Sequence, residues 1–458
     1  MFVTDNVLWR TRFALKRLTL FREIGRRANI FAVFEDLLAE LLEPEGNWQN
    51  ALKLHHDLVG KLLEHSMETP FIPVGSVWQD YILDNILLAE NDFTRQVVQS
   101  EGKELPNIVL KAAEADLLAL QALYNLDAAS FTEALEEVLA GTGAEDTLDS
   151  WSMLPWEKLD VPEPEGPGYS IQLKQSFQSG VNWDKLLEPL IFYYRTVGTG
   201  SFSYCHAFRF LDNDSGPLLK PIMEPDPIRL SNLIGYEAQR QQVVSNTEQF
   251  INGFSANNLL LYGERGTGKS STIKALVHEY GERGLRMVEM AKQDLGKLPV
   301  LLDLIRHRPH RFIIFIDDLS FEEGEVDYKH LKAVLEGSLE ARPRNVLIYA
   351  TSNRRHLIKE RFSDREFTGD DEVRAQDTLQ EKLSLSDRFG VTITFTSPDQ
   401  EEYLAIVEGL ARQEGMDVDP GDLRAQALRW ALWHNGRSGR TARQFIDDLK
   451  GRLEYESR

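Results

Sequence analysis

The sequence lacks most of the features that mark secreted and membrane proteins. Its 458 residues include a single cysteine, Cys205, which excludes a disulfide within the chain. No Cys/His spacing indicates a zinc site, and no apolar run approaches the roughly 18 residues that a membrane-spanning helix needs. The start of the chain does not resemble a secretory signal. From these absences we expect a cytoplasmic protein with no membrane span.

Positive charge is also scarce, with 51 Lys and Arg against 72 Asp and Glu and a formal net charge of -21. This balance argues against an extended positively charged surface that binds nucleic acid, but it allows a local basic patch. One basic cluster near the start permits three interpretations: a basic amphipathic helix for a membrane or acidic partner, a targeting presequence, or the exposed face of a packed helix. We favour the third, because charge runs on helices are usually solvated. The cluster consists of Arg10, Arg12, Lys16, Arg17, Arg22, Arg26 and Arg27.

Length and hydrophobic periodicity predict several domains, since 458 residues exceed what one compact core accommodates. Apolar residues recur with a helical period up to about residue 139, strands and helices alternate from about residue 227, and only helical stripes follow the last strand. The aromatic alternation from Phe202 to Phe210 predicts a strand, with a hairpin turn at Gly198-Thr199-Gly200. Residues 141–146 read as a loop and 162–168 as a stiff acidic linker. The predicted segments are an N-terminal mostly helical domain (1–150), a linker with a β-hairpin-like element (151–226), an α/β domain (227–397) and a C-terminal helical lid (398–458).

The alternation of strands and helices in the α/β domain predicts a mainly parallel, five-stranded sheet with helices on both faces. The candidate strands are Asn258–Tyr262, Arg286–Met290, Phe312–Ile316, Val346–Ala350 and Val391–Phe395.

The most specific signal lies between the first of these strands and the helix after it. Gly263 to Ser270 fits the G-x-x-x-x-G-K-[ST] phosphate-binding loop in full, in the strand–loop–helix context that the motif requires. Its glycines let main-chain N–H groups and a helix N-terminus face phosphate oxygens. Lys269 is expected to reach the β- and γ-phosphates, and the Ser270 hydroxyl to bind Mg²⁺. The predicted triphosphate-binding residues are Gly263, Glu264, Arg265, Gly266, Thr267, Gly268, Lys269, Ser270 and Ser271.

A second signal follows the third candidate strand, which ends in Asp317 and Asp318. Ligands of open α/β sheets gather at the carboxyl ends of strands, so these carboxylates are expected beside the phosphate loop. Asp317 is the candidate Mg²⁺ residue, and Asp318 is the candidate for orienting or deprotonating an attacking water. A strand that merely ends in a polar turn is the alternative, but a complete phosphate loop upstream makes it the weaker interpretation.

At this point the C-terminal half resembles the AAA+ ATPases, which implies an α/β P-loop NTPase sheet domain that binds ATP and Mg²⁺ beneath a helical lid. Leu233–Glu237 is similar to the segment that cups adenine, through Ile234 and Gly235. Thr351–Asn353 matches the polar sensor position, with Asn353 placed for the water or the γ-phosphate. Leu385–Gly390 resembles the arginine-finger box with Arg388 as the finger, and Gly436–Arg440 resembles the second sensor with Arg440, for which Arg443 is a rival.

Three phrases resemble, more narrowly, a bacterial group of predicted AAA+ ATP-binding proteins without an assigned function. They are Leu260–Gly263, Ile316–Ser320 and Ser384–Gly390. The chain departs from the wider family at Asp318, where glutamate is usual and the side chain is therefore one methylene longer.

The resemblance implies a homo-oligomer, a ring in which Arg388 acts on the nucleotide of the neighbouring subunit. One hypothesis is therefore an ATPase that couples Mg-ATP hydrolysis to remodelling or loading of a protein or nucleic-acid partner through the N-terminal domain. The alternative is a slow-hydrolysing, ATP-dependent switch or adaptor, which the departure at Asp318 favours slightly. A small-molecule kinase is weaker still, because the sequence offers no acceptor site.

Overall fold

A computed structural model of the chain describes residues 7–22, 30–43, 47–100, 102–140, 168–213, 216–321, 327–336, 343–353, 388–434 and 436–456. It forms two compact units, Met1–Tyr204 and Cys205–Arg458. The division falls inside the predicted segment 151–226, and the bounds of the four predicted segments stay predictions. The predicted loop at 141–146 and residues 162–167 of the predicted linker lie outside the described residues.

The first unit is helical, as the sequence predicts. Large aromatic side chains form much of its core, with Phe34 packed on Trp78 at a ring distance of 4.7 Å. Local sequence sets several helix starts, such as Ser76, whose side chain and that of Gln79 form a reciprocal capping box. The helices are α1 (Val7–Arg17), α2 (Ile30–Leu42), α3 (Trp48–Glu68), α4 (Val77–Leu87), α5 (Asp92–Gln99), α6 (Asn107–Tyr124), α7 (Ala128–Leu139), α8 (Tyr169–Gln178) and α9 (Leu187–Thr196).

Four of the seven residues of the basic cluster lie on α1, which buries Leu8, Thr11 and Ala14 and exposes Lys16 and Arg17. Arg12 forms an ion pair with Glu43 at 2.7 Å. The residues of the cluster on α1 therefore match the third interpretation, the exposed face of a packed helix. Arg26 and Arg27 lie outside the described residues.

The second unit is built on a sheet that has seven strands among the described residues, in the order β2-β1-β4-β5-β6-β3-β7. Every pair is parallel except the hairpin β1–β2. The five parallel strands β4-β5-β6-β3-β7 correspond to the predicted ones, and the α/β P-loop fold class is confirmed. The strands are β1 (Ala207–Asn213), β2 (Gly216–Pro221), β3 (Leu259–Gly263), β4 (Leu285–Glu289), β5 (Arg311–Ile316), β6 (Val346–Ser352) and β7 (Val391–Phe395).

The predicted hairpin exists, but its position and its role differ from expectation. The predicted turn at Gly198–Gly200 is wrong: Gly200–Ser203 forms a 3-10 helix, and the hairpin strands begin only at Ala207. Phe202 is buried in that short helix, so buried aromatics there produced the same alternation as a strand. The predicted strand count is also too low, because β1 pairs with the edge of the sheet through Ala207 and Met287.

Helices cover the sheet and form the lid. The core on one face of the sheet includes Leu261, Ile313 and Tyr349, and the last three helices enclose their own apolar core around Tyr403 and Phe445. No helix within the described ranges is long and apolar enough to cross a membrane. The helices are α10 (Glu237–Ile251), α11 (Lys269–Tyr280), α12 (Leu298–Ile305), α13 (Asp327–Glu336), α14 (Gln400–Gln413), α15 (Pro420–Trp433) and α16 (Gly439–Glu456).

Candidate functional site

The glycine-rich loop connects β3 to α11 and is shaped by its neighbours. Gly263 has a φ of +139°, and a Cβ on it would lie 1.8 Å from the carbonyl oxygen of Phe395 on β7. The next residue, Glu264, donates its main-chain N–H to that same oxygen at 3.1 Å. Gly266 and Gly268 have φ values of +75° and +89°, a region that glycine adopts without steric cost. Close strand approach and left-handed backbone therefore require glycine at these positions.

Lys269 is the first residue of α11 and is 6% exposed. Its Nζ donates to the carbonyl oxygens of Gly263 and Glu264 at 2.8 and 2.7 Å, and to Asn353 Oδ1 at 3.3 Å. Burial lowers the pKa of Lys269, an effect that the nearby Asp318 and Asp317 carboxylates oppose. The ammonium is thus held inside the loop by acceptors that phosphate oxygens can replace.

The acidic strand end lies directly beside the loop. Asp317 Oδ1 accepts hydrogen bonds from Ser270 Oγ at 2.6 Å, from Thr351 Oγ1 at 2.5 Å and from the main-chain N–H of Asp318 at 3.1 Å. A hydroxyl and a carboxylate at this separation are hard oxygen donors, which suit Mg²⁺ together with phosphate oxygens and water. No group of three or more His, Cys, Asp or Glu side chains that could hold a metal occurs in the described part of the chain. The donor set therefore fits a magnesium ion bound jointly with phosphates.

Asp318 and Asn353 form a second polar pair across the ends of β5 and β6. Asn353 Nδ2 donates to Asp318 Oδ1 at 2.6 Å, while Asn353 Oδ1 accepts from Lys269. Adjacent strands bring the two residues together, since Ile316 pairs with Ala350. Asp318 has a φ of +47°, which is uncommon for a residue other than glycine. Asn353 thus links the loop lysine to the candidate base.

These groups open into one cavity of about 690 Å³. Its polar floor is the loop and the acidic strand ends, and its remaining walls come from the segment before α10 and from the lid. The lining includes the predicted residues Ile234, Gly235, Arg265, Gly266, Thr267, Gly268, Lys269, Ser270, Ser271, Asp317, Asp318, Asn353 and Arg440. A cavity with one polar end and one apolar end matches the two ends of a nucleotide.

The apolar end is formed where the segment before α10 contacts the lid. Gly235 faces Ile406, whose Cγ1 would lie 3.2 Å from a Cβ on the glycine. Tyr236 has a φ of +59° and donates its hydroxyl to the carbonyl oxygen of Thr396 at 2.7 Å. Burial raises the pKa of Tyr236 to about 12, so the phenol stays a neutral donor. Ile406 of the lid thus lies against the segment before α10, and Tyr236 holds that segment to the residue that follows β7.

The lid also contacts the phosphate loop directly. At the start of α16, the main-chain N–H of Arg440 donates to the carbonyl oxygen of Gly266 at 3.1 Å. Arg440 is exposed and lines the cavity. Arg443 lines it as well, but its guanidinium forms an ion pair with Glu414 at 2.8 Å. Geometry therefore favours Arg440 over Arg443, whose charge is already engaged, and the sensor role stays a prediction.

Arg388 lies apart from this constellation. It is exposed, precedes β7 by a few residues, and is not among the residues that line the cavity. Residues 385–387 of the predicted finger box lie outside the described ranges. The structure thus does not bring Arg388 into the cavity of its own chain, and action on a neighbouring subunit stays a prediction.

Several residues of the cavity escaped the sequence analysis. Phe395 gave only a strand signal, Ile406 and Leu410 gave only a helical stripe, and Arg240 gave no signal. Arg240 donates to the carbonyl oxygen of Gly235 and pairs with Glu237 at 3.2 Å. Thr351 lay in a segment that the sequence marked as polar, but only Asn353 was singled out there.

Comparisons with known proteins assign this site no activity. A family model described as a protein of unknown function (DUF815) matches residues 203–453, and no curated protein matches the chain. RuvB of Thermotoga maritima, a Holliday junction branch migration motor, is 15% identical over 50% of this chain and 67% of its own, with a TM-score of 0.35. AMPPCP-bound DnaA from Aquifex aeolicus is 18% identical over 49% of this chain and 65% of its own, with a TM-score of 0.33. At such TM-scores the fold assignment depends on the strand order of the chain itself.

Proposed function

Because the chain belongs to the DUF815 family, whose description names no activity, we propose a function from its site: it is an AAA+ ATPase that binds ATP with Mg²⁺. One observation carries the proposal. Lys269, the Ser270–Asp317 pair and the Asp318–Asn353 pair converge on the polar end of one cavity, beside a complete phosphate loop. This set combines a cation for phosphate, oxygen donors for magnesium and a carboxylate that can act on water.

Each residue has a distinct role in the proposed site. Lys269 exchanges its bonds to loop carbonyls for bonds to phosphate oxygens, and Ser270 and Asp317 hold the magnesium ion. Magnesium, when bound, draws negative charge from the phosphates. Asp318 orients or deprotonates the attacking water, and Asn353 fixes that carboxylate through its amide. Arg440 adds a positive charge from the lid, because it lines the cavity at the start of α16, where its main-chain N–H bonds the loop.

The finer proposal is that hydrolysis remodels or loads a partner. In this scheme the protein assembles as a ring, Arg388 of one subunit completes the site of the next, and the N-terminal unit binds a protein or a nucleic acid. Support comes from the resemblance to AAA+ ATPases and from Arg388, which is exposed and outside its own cavity. Arginine suits this role because its guanidinium is planar and permanently charged.

A slow-hydrolysing switch is the second candidate, favoured by the state of Asp318. Its carboxylate already accepts the Asn353 amide at 2.6 Å, and aspartate reaches less far into the cavity than glutamate does. Single-turnover and steady-state kinetics together separate the two candidates. A chemical step slower than the conformational response to ATP supports the switch, and fast repeated turnover supports the motor.

Direct binding tests the proposal itself. We expect the purified chain to bind ATP in the presence of Mg²⁺, and Lys269→Ala to lose binding at least about 100-fold, because a charge-assisted contact to phosphate is removed. Calorimetric titration measures both. Lys274→Ala is the matched control: this lysine lies on the same helix but pairs with Asp226 at 3.5 Å, away from the cavity. No binding by the unmodified chain at millimolar magnesium would contradict the proposal.

A further inference from the structure

Thr351 is a buried residue that neither the phosphate loop motif nor the acidic motif includes. It lies near the end of β6, is 2% exposed, and borders the cavity. The register of the sheet places it between the two motifs: Leu261 of β3 pairs with Thr351, and the last residue of β5, Ile316, pairs with Ala350. Thr351 therefore lies on the strand between β3, which precedes the phosphate loop, and β5, which precedes Asp317.

The Thr351 hydroxyl bonds both residues of the acidic pair. Oγ1 donates to Asp317 Oδ1 at 2.5 Å and accepts from the main-chain N–H of Asp318 at 3.0 Å. The carbonyl oxygen of Thr351 accepts from the N–H of Leu319 at 2.7 Å. Side chain and main chain of one residue thus hold the turn that follows β5.

This contact fixes the orientation of the Asp317 carboxylate. The hydrogen bonds to Asp317 found within the described residues all fall on Oδ1, which leaves Oδ2 facing no protein donor in that part of the chain. Ser270, one of these donors, is a proposed magnesium ligand, so its hydroxyl is redirected when the ion binds. The buried Thr351 hydroxyl has no such second role, so it would keep Oδ1 in place and leave Oδ2 available to a magnesium ion.

The same hydroxyl stabilises the unusual backbone of Asp318. A φ of +47° is costly for a residue with a side chain. The bond from the Asp318 N–H to Thr351 and the bond from Leu319 beside it offset that cost. By holding the backbone of Asp318, they also orient its side chain toward the Asn353 amide.

We propose that Thr351 is a positioning residue for the magnesium site: its hydroxyl orients the Asp317 carboxylate and holds the Asp318 turn. The inference rests on the proposed function, because it assumes that Asp317 binds magnesium beside a nucleotide. Thr351 touches neither the ion nor the phosphates in this scheme and acts only through the acidic pair.

The test compares Thr351→Val, which keeps the shape and removes the hydroxyl, with Thr351→Ser, which keeps the hydroxyl. Binding of a fluorescent, non-hydrolysable ATP analogue is titrated without magnesium and at increasing magnesium concentrations. For Thr351→Val we expect the affinity for the analogue without magnesium to stay within about twofold of that of the unmodified chain. The magnesium concentration that produces half of the maximal change in affinity should rise about tenfold, because a hydrogen bond to a charged group is lost. Thr351→Ser should stay within about twofold in both measurements.

Thr247→Val is the control for a general loss of packing. Thr247 is buried on α10, bonds Val243 and the hydroxyl of Tyr349 on the same strand β6, and does not line the cavity. We expect it to lower thermal stability while its magnesium response stays unchanged. If Thr351→Val does not fold by circular dichroism, Thr351→Ala serves as the variant without a hydroxyl.

The outcomes separate this inference from the proposed function. An unmodified chain that binds no nucleotide overturns both. If the chain binds nucleotide but Thr351→Val responds to magnesium normally, only the inference is wrong. A shift of equal size in Thr247→Val or in Thr351→Ser also overturns it, since the effect would then not follow the hydroxyl.

Discussion

Gly263 is the last residue of β3 and lies directly beside Phe395 of β7. Its φ of +139° and the distance of 1.8 Å from a built Cβ to the Phe395 carbonyl oxygen leave no room for any side chain. The sequence motif predicts a glycine here because the loop main chain has to curl around phosphate oxygens. The structure adds a reason that holds without a ligand, because β7 pairs with β3 through this residue.

A substitution at Gly263 should therefore destabilise the free protein as well as abolish binding. For Gly263→Ala we expect unfolding to become easier by about 3 kcal/mol, from steric overlap added to backbone strain. Denaturant unfolding of the nucleotide-free protein measures this loss. Gly284→Ala is the control, because Gly284 has a φ of +92° with open space around it and should lose only about 1 kcal/mol. Equal losses in the two variants would show that overlap with β7 is absent.

At the scale of elements, the start of α16 connects the lid to the phosphate loop. The main-chain bond from Arg440 to Gly266 needs the two backbones to lie close together. Gly439 permits this, since a Cβ there would lie 3.1 Å from the Gly266 carbonyl oxygen. Affinity for a ligand of the loop is therefore expected to depend on this close contact between the loop and α16.

Gly439→Ala should weaken nucleotide binding with little effect on folding. The added methyl group requires α16 and the loop to move apart slightly, and we expect the dissociation constant for ATP to rise about fivefold, or about 1 kcal/mol. Gly451→Ala on the same helix has open space around it and should leave affinity unchanged while adding about 0.5–1 kcal/mol of stability. Calorimetric titration of both variants checks the pair. Unchanged affinity in Gly439→Ala would exclude a role for the close approach.

At the scale of the whole molecule, the proposed active assembly needs residues from two copies of the chain. The residues that line the cavity include Lys269 but not Arg388. If Arg388 acts across a subunit boundary, a site can be complete only when one copy supplies the loop and another supplies the arginine. This arrangement makes complementation between two inactive variants possible.

Mixing Arg388→Ala with Lys269→Ala tests the arrangement. Arg388→Ala alone should bind ATP normally and hydrolyse it about 10³-fold more slowly, and Lys269→Ala alone should not bind it. In mixed assemblies, a site with an intact loop can receive Arg388 from its neighbour, so ATPase activity should exceed the sum of the two parents. Phosphate release and co-assembly are measured on the same mixture. Co-assembly without any gain in activity would place Arg388 outside the reaction.

Much of this organisation was predictable because its signals are contiguous in the sequence. The phosphate loop is one continuous motif, and each parallel strand and each helix of the lid is a continuous segment with its own hydrophobic pattern. The hairpin at the sheet edge was misplaced, since Phe202 alternates like a strand residue but is buried in a 3-10 helix. The alternation of apolar residues in a sequence does not show which part of the fold buries each side chain.

The sequence by itself determined which residues are the candidates for binding phosphate and magnesium, because the loop from Gly263 to Ser270 and the pair Asp317–Asp318 each consist of neighbouring residues. Only the tertiary structure decided that Thr351 bonds that acidic pair and that Phe395 requires a glycine beside it. Those contacts join different strands, and their geometry follows from sheet order and register, which depend on packing over the whole unit.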